Sequence, residues 1–128
     1  QGIGCPECAE YGFKPGQMAV LYLLYHPELR ARKIGIAGGA KKNDRIGAMQ
    51  KRGWQVLRQW RLFGALAREA ETAGLRWIRG ELGLPQFLRR EDMGRRGGET
   101  ETFSAEAITD EEVINKLESI IRESSVNN

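Results

Sequence analysis

The sequence predicts an α+β domain in which helices flank a small, mostly antiparallel three-stranded sheet. Two apolar runs near the start, residues 19–25 and 32–37, are rich in β-branched and aromatic residues and predict the strands of a hairpin. Apolar residues at helical spacing follow in two later segments, with a strand-like run between them. The chain has 128 residues, which is enough for one hydrophobic core and too few for two.

A proline and a glycine mark the boundaries of the first three elements. Pro27 cannot continue a central strand, so the hairpin turns there, and we expect the neighbouring His26 to be exposed. Asn43 or Asp44 caps the first predicted helix, which ends at Gly53, where a left-handed conformation is usual. The buried positions of this helix are expected to be Ile46 and Met49.

The period of the apolar residues predicts the middle elements. Residues 54–62 (WQVLRQWRL) mix apolar and basic side chains and are typical of a third strand. Residues 65–82 repeat apolar side chains near helical spacing and predict the longest helix. Residues 85–99 are basic and rich in glycine, which indicates a connecting loop. The aromatic residues expected in the core are Trp54, Trp60, Phe63 and Trp77.

The end of the chain carries a helix-start signal. Thr109 and Glu112 have the spacing of a capping box, which predicts an acidic amphipathic helix to about residue 122, with residues 124–128 frayed. Residues 100–103 predict a short strand before it. The expected organisation is a linker or the end of a zinc ribbon in 1–17, a nuclease-like domain in 18–104, and the amphipathic helix with its tail in 105–128.

Charge is distributed unevenly along the chain. Basic residues outnumber acidic ones in residues 1–103, whereas acidic residues predominate in residues 104–128. A basic body suits an anionic partner such as DNA, and the alternative is an ordinary solvated surface. Arginine forks match phosphate oxygens well. The candidates for DNA phosphate contacts are Arg52, Arg58, Arg61, Arg89, Arg90, Arg95 and Arg96.

Apolar runs in this chain are short. The longest spans residues 18–25, far below the roughly 20 residues that a membrane helix needs, and no signal peptide is visible. We therefore expect a cytoplasmic protein that does not enter a membrane. Because the chain begins with Gln1 rather than methionine, we expect it to be a piece of a longer polypeptide.

Cys5 and Cys8 form a CxxC pair, the spacing at which two cysteines grip Zn²⁺. A structural zinc needs four ligands, and the chain has no other cysteine. The string resembles the closing half of a zinc ribbon whose other ligands would precede Gln1. A redox pair is the alternative, although the βαβ pattern of a thioredoxin-like domain does not follow it.

Four short signals follow one another in a fixed order along the chain. The first strand carries Tyr22 in VLY, the second carries Lys33 in KIG, and the helices carry Arg45 and Glu71. This order resembles the GIY-YIG nuclease superfamily over residues 19–103. Val-Leu replaces the Gly-Ile of the first motif, and Lys33 replaces the tyrosine of the second, as in a subset with KIG. The string TETF at residues 100–103 resembles the terminal motif of a phage-type subset.

The resemblance implies a metal-dependent DNA endonuclease. Glu71 would hold one Mg²⁺ or Mn²⁺ ion, Tyr22 would act as general base, and Arg45 would pair with the phosphate. A phenol is a weak acid, so we expect it to need a nearby cation, which Lys33 could supply. Helical geometry favours Glu71 over Glu69, because only Glu71 lies beside the predicted apolar stripe.

Other interpretations stay open at this point. Taken without the resemblance, Tyr22 is typical of a core aromatic residue, and Lys33, Arg45 and Glu71 are typical of solvated surface charges. The same fold could be an inactive DNA-binding module, or a protein-interaction domain that uses the acidic C-terminal helix. A nucleophilic triad is disfavoured, because His26 is the only histidine. The oligomeric state could be a monomer or a DNA-induced dimer.

Overall fold

A hairpin of two long strands forms the centre of the fold, in a computed structural model that describes residues 17–38, 45–94 and 97–127. The predicted α+β class is confirmed. The strands are β1 (Met18–His26), β2 (Ala31–Gly38), β3 (Gln55–Phe63) and β4 (Thr102–Ser104). The α-helices are α1 (Arg45–Lys51), α2 (Gly64–Arg76), α3 (Arg90–Met93) and α4 (Asp110–Asn127). A π-helical turn, Trp77–Glu81, follows α2, and a 3₁₀ turn, Glu99–Glu101, precedes β4.

The sheet is antiparallel with the strand order β3-β1-β2-β4. The three strands that were expected as the sheet are therefore joined by β4, which pairs with β2 at the other edge. In this register Tyr22 lies opposite Gly35, and Lys33 lies opposite Thr102. Partners in an antiparallel pair point to the same face, so the register decides which side chains meet.

Both faces of the sheet are covered, which explains why the first strand is apolar at successive positions. Leu21 and Leu23 pack with α2 and α4 on one face, together with Leu117. Tyr22 and Leu24 point to the other face and pack with α1 and α3. Alternation along β1 thus separates two clusters, because successive side chains of a strand point to opposite faces.

Helix boundaries largely follow the sequence signals. Gly53 has a φ of 101° just after α1, the left-handed conformation expected there. The capping box is also present: the backbone N–H of Glu112 donates to the Thr109 hydroxyl, and the backbone N–H of Thr109 donates to the Glu112 carboxylate. The last helix continues to Asn127 instead of ending near residue 122, so the expected frayed end was wrong.

Two burial predictions and one loop prediction were wrong. His26 is 6% exposed, because its ring nitrogens bond the Arg52 carbonyl and the Leu29 amide and its ring packs edge-on against Trp54. Phe63, expected in the core, is 61% exposed at the end of β3. The connection at residues 85–99 contains the short helix α3 rather than loop alone.

Among the residues that the structure describes, no helix is long and apolar enough to cross a membrane.

Candidate active site

Lys33 is at the centre of a cluster of polar side chains near the edge of the sheet, where β2 pairs with β4. Its ammonium donates a hydrogen bond to Glu101 at 2.6 Å and lies 3.4 Å from the phenol oxygen of Tyr22. The Lys33 side chain is 6% exposed, whereas that of Glu101 is 29% exposed. Burial alone would lower the pKa of Lys33, but Tyr22 and Glu101 outweigh it and raise that pKa. Lys33 therefore stays a cation and cannot serve as a general base.

Strand register brings Tyr22 to Lys33. Leu24 lies opposite Lys33 and Tyr22 opposite Gly35, so the phenol and the ammonium share one face two positions apart. Gly35 leaves room for the phenol, because a Cβ there would lie 2.5 Å from the Tyr22 oxygen. The ring is 1% exposed and belongs to the core cluster on that face. The core and functional interpretations of Tyr22 are thus compatible.

Glu101 was absent from the site residues predicted from the sequence. It lies in the 3₁₀ turn immediately before β4, where the pairing of Thr102 with Lys33 brings it beside the ammonium. The signal that could have identified it was the TETF string, whose glutamate has the length to reach a neighbouring strand. A short ion pair with a nearly buried lysine makes Glu101 part of the site.

Glu71 approaches the same cluster from α2. It is half-buried, whereas Glu69 on the same helix is exposed, as helical geometry predicted. Burial, together with the charge and a hydrogen bond of Glu101, raises the pKa of Glu71 to about 8, although Lys33 and Arg68 oppose the shift. A hydrogen bond between two carboxyl groups requires one of them to carry a proton. Glu71 therefore keeps a proton in its half-buried position beside Glu101 when no cation is bound there.

A surface groove of about 370 Å³ opens beside this cluster. Arg45, the first residue of α1, enters it from the other side with an exposed guanidinium 3.5 Å from the Ile36 carbonyl. Glu71 joins the groove through Glu101. The residues that line it are Tyr22, Lys33, Arg45, Met49, Gly97, Gly98, Thr100 and Glu101. Three of the four predicted catalytic residues, Tyr22, Lys33 and Arg45, thus line this groove, and Glu71 is linked to it by its interaction with Glu101.

The donor set can be compared with what a metal ion requires. Within the described ranges, no group of three or more His, Cys, Asp or Glu side chains is arranged to hold a metal. A closed zinc-type site therefore does not fit the groove. Mg²⁺ and Mn²⁺ favour oxygen ligands, and Mg²⁺ in particular keeps several of its waters, so one or two carboxylates with a phosphate can suffice. Glu71 and Glu101 fit an ion of that kind.

The predicted DNA-contacting arginines fall on different faces. Arg61 is exposed and in register with Val20, on the sheet face that carries Tyr22. Arg58 is in register with Leu23, on the opposite face, where it forms a 2.9 Å ion pair with Glu118. The structure therefore does not bring Arg58 to the groove.

The remaining arginines have varied surroundings. Arg52 is exposed and donates to the Met93 carbonyl at 2.6 Å, which links α1 to α3. Arg89 is exposed beside Glu91 and Asp92, and Arg90 is exposed at the start of α3. Outside the described residues lie Arg95, Arg96, Cys5 and Cys8, so the zinc prediction stays a prediction.

Comparison of the chain with protein-family models, with curated proteins and with solved structures finds no match.

Proposed function

We propose that this chain is the catalytic domain of a metal-dependent DNA endonuclease of the GIY-YIG type. The observation that carries the proposal is a cluster beside a groove: Lys33 lies next to Tyr22 and Glu101, Glu101 interacts with Glu71, and Arg45 lines the same groove. The four predicted catalytic residues are far apart in sequence, and the order of the motifs alone selected them. This clustering supports the resemblance from which they were predicted.

Hydrolysis of a phosphodiester needs an activated water, a stabilised charge on the phosphorus oxygens and a neutralised leaving oxygen. Tyr22 lies beside the Lys33 ammonium, and its phenolate form can accept a proton from water, whereas the Glu71 carboxylate would be occupied by the metal ion. The Lys33 ammonium lies 3.4 Å from the phenol oxygen and would stabilise negative charge on it during this step. We therefore assign Tyr22 as the general base and Lys33 as the group that stabilises its charged form.

Arg45 and Glu71 would act on the phosphate side of the reaction. The exposed guanidinium of Arg45, which makes one long hydrogen bond to the Ile36 carbonyl, has further N–H groups that would form paired hydrogen bonds with phosphate oxygens as they gain charge. Glu71 would hold Mg²⁺ or Mn²⁺, with Glu101 adjacent. When bound, the ion would supply Lewis-acid stabilisation of the phosphate and of the leaving oxygen.

The surroundings of the site agree with a DNA substrate. Arg45 and Arg61 lie on the side of the sheet that carries Tyr22, whereas the acidic helix α4 packs on the other side. Positive charge near the groove would draw in the phosphate backbone. A zinc ribbon that includes Cys5 and Cys8 and takes its other ligands from upstream residues would increase the affinity for DNA. The enzyme would act in the cytoplasm.

The direct test is nicking of supercoiled plasmid DNA by the purified chain. We expect open-circular product with Mg²⁺ or Mn²⁺ and none with EDTA. DNA binding, measured in parallel with a fluorescent duplex, should weaken steeply as salt rises, because phosphate contacts release counterions. Binding without nicking would indicate an inactive DNA-binding module. Absence of both would favour a protein-interaction domain and contradict the proposal.

One site of this kind cuts one strand. A monomer should therefore give nicked circles before linear DNA, whereas a dimer formed on DNA should give linear product early. The order of the products in a time course, repeated at two enzyme concentrations, separates a monomer from a DNA-induced dimer.

A further inference from the structure

Glu101 touches two members of the site at once. One carboxylate oxygen accepts the 2.6 Å hydrogen bond from the Lys33 ammonium, and the carboxyl group also shares a hydrogen bond with Glu71. Lys33 acts on the charge of Glu71 as well, so all three groups interact. A lysine this close to a carboxylate competes with a metal ion for it, because both are cations that seek the same oxygens.

The backbone around Glu101 is held from both sides. The guanidinium of Arg79, in the π-helical turn, donates to the carbonyls of Thr100 and Thr102 at 2.7 Å each. Gly98 adopts a φ of 94°, and a Cβ there would lie 2.8 Å from Cε of Lys33, so the loop closes over the lysine stem. A π-helical turn inside a helical segment is often found at functional sites. The position of the Glu101 carboxylate is therefore fixed by the fold.

We propose that Glu101 is a positioning residue that holds the Lys33 ammonium beside the Tyr22 phenol and away from Glu71, which leaves Glu71 free to take a divalent cation. This inference rests on the proposed function, since it assumes a cation at Glu71. The structural basis is the 2.6 Å contact that directs the ammonium to Glu101 while its Nζ stays 3.4 Å from the phenol. Without the Glu101 charge, the negative charge of Glu71, which already interacts with Lys33, would attract the ammonium.

The test measures Mn²⁺ binding to the purified chain by the electron paramagnetic resonance signal of the free ion. Glu101→Gln keeps the size of the side chain but removes its charge, and should weaken Mn²⁺ binding by on the order of tenfold. Adding Lys33→Met to this variant removes the competing ammonium and should restore most of the affinity. The double variant should nevertheless cleave DNA poorly, because Tyr22 has lost its neighbouring cation.

The double variant separates positioning from direct coordination. If Glu101 were simply a metal ligand, removing Lys33 as well would not restore Mn²⁺ binding, and the inference would be overturned. A matched control is Glu106→Gln, which breaks the exposed ion pair with Arg30 and should leave Mn²⁺ binding unchanged. If Glu101→Gln does not fold, Glu101→Asp keeps the charge on a shorter side chain and should give an intermediate loss, whereas unchanged affinity would contradict positioning.

Mn²⁺ binding by single variants distinguishes a failure of this inference from a failure of the proposed function. If Glu71→Gln binds Mn²⁺ as well as the wild type does, no cation lies at Glu71, and both proposals fall. If Mn²⁺ binding depends on Glu71 but is unchanged in Glu101→Gln, only the positioning role of Glu101 is overturned.

Discussion

The phenol of Tyr22 lies across the backbone of Gly35, so closely that a Cβ atom at Gly35 would fall 2.5 Å from the phenol oxygen. The two residues are cross-strand partners in the central hairpin. The tyrosine of the first motif and the glycine of the second are therefore a single structural unit. Gly35 is needed for the space it leaves beside the ring, which directs the phenol toward Lys33.

Substitution of Gly35 by alanine should displace the phenol. Added atoms in a packed interior force neighbouring side chains to move, at a cost of about 1–3 kcal/mol in the free energy of unfolding. We expect Gly35→Ala to lose stability by that amount and to cut DNA at least tenfold more slowly. Chemical denaturation and the nicking assay measure the two effects.

Gly80 provides the matched control for that experiment. A Cβ at Gly80 would meet no atom within 4 Å, so Gly80→Ala should leave the cleavage rate unchanged. Its stability should change by no more than about 1 kcal/mol, since alanine restricts the unfolded chain. Equal losses of activity in the two variants would show that the tyrosine–glycine contact does not position the site.

Stability without metal should depend on pH through Glu71. Its pKa of about 8 exceeds the 4.5 of an ordinary glutamate, because burial and Glu101 disfavour its charge. The folded chain thus keeps a proton that the unfolded chain releases. This contribution is fully present below pH 4.5 and is lost as pH rises through about 8. In EDTA, Tm should fall across that range in the wild type more than in Glu71→Gln.

The affinity for metal should rise with pH, whereas the stability without metal should fall. A cation at Glu71 displaces the proton of that carboxyl group, so Mn²⁺ binding should strengthen as pH rises towards about 8. Binding that is independent of pH, or a Tm profile that is the same in Glu71→Gln, would contradict a proton held on Glu71.

Arg61 and Arg58 offer a paired test of the DNA-binding face. They lie three residues apart on β3 but on opposite faces of the sheet, and Arg58 is neutralised by Glu118. Arg61→Ala should weaken DNA binding and lower the salt slope by about 1, whereas Arg58→Ala should change neither. Measuring the affinity of both variants for DNA over a range of salt concentrations tests these two expectations. Equal losses in the two variants would argue against a groove-side interface.

Sequence patterns predicted the local elements well, since hairpin strands, helix caps and apolar stripes are set by neighbouring residues. The order of the motifs identified four candidate site residues but not the distances between their side chains. These residues are Tyr22, Lys33, Arg45 and Glu71. The role of Glu101 depends on the pairing of β4 with β2, a contact between residues far apart in sequence. The TETF string singles out this glutamate, but nothing in the string itself shows that Lys33 is its partner.

The wrong predictions likewise concern contacts between residues that are far apart in the sequence. His26 was expected to be exposed because it precedes a turn, yet Arg52 and Trp54 return to cover it from the far end of α1. Phe63 was expected in the core from its type, but it ends β3 on the exposed side. Arg58 and Arg61 were treated as equivalent candidates, but they lie three residues apart on one strand and therefore point to opposite faces of the sheet, which places Arg58 beside Glu118.

The measurement that tests the central claim most directly compares Glu71→Gln with Glu69→Gln in the Mg²⁺-dependent nicking assay. Both residues are on α2, but Glu69 is exposed, whereas Glu71 is half-buried and interacts with Glu101 and with the charge of Lys33. We expect Glu71→Gln to lose at least a hundredfold in cleavage rate while binding DNA normally, and Glu69→Gln to match the wild type. Full cleavage by Glu71→Gln would contradict a metal-dependent reaction at this cluster.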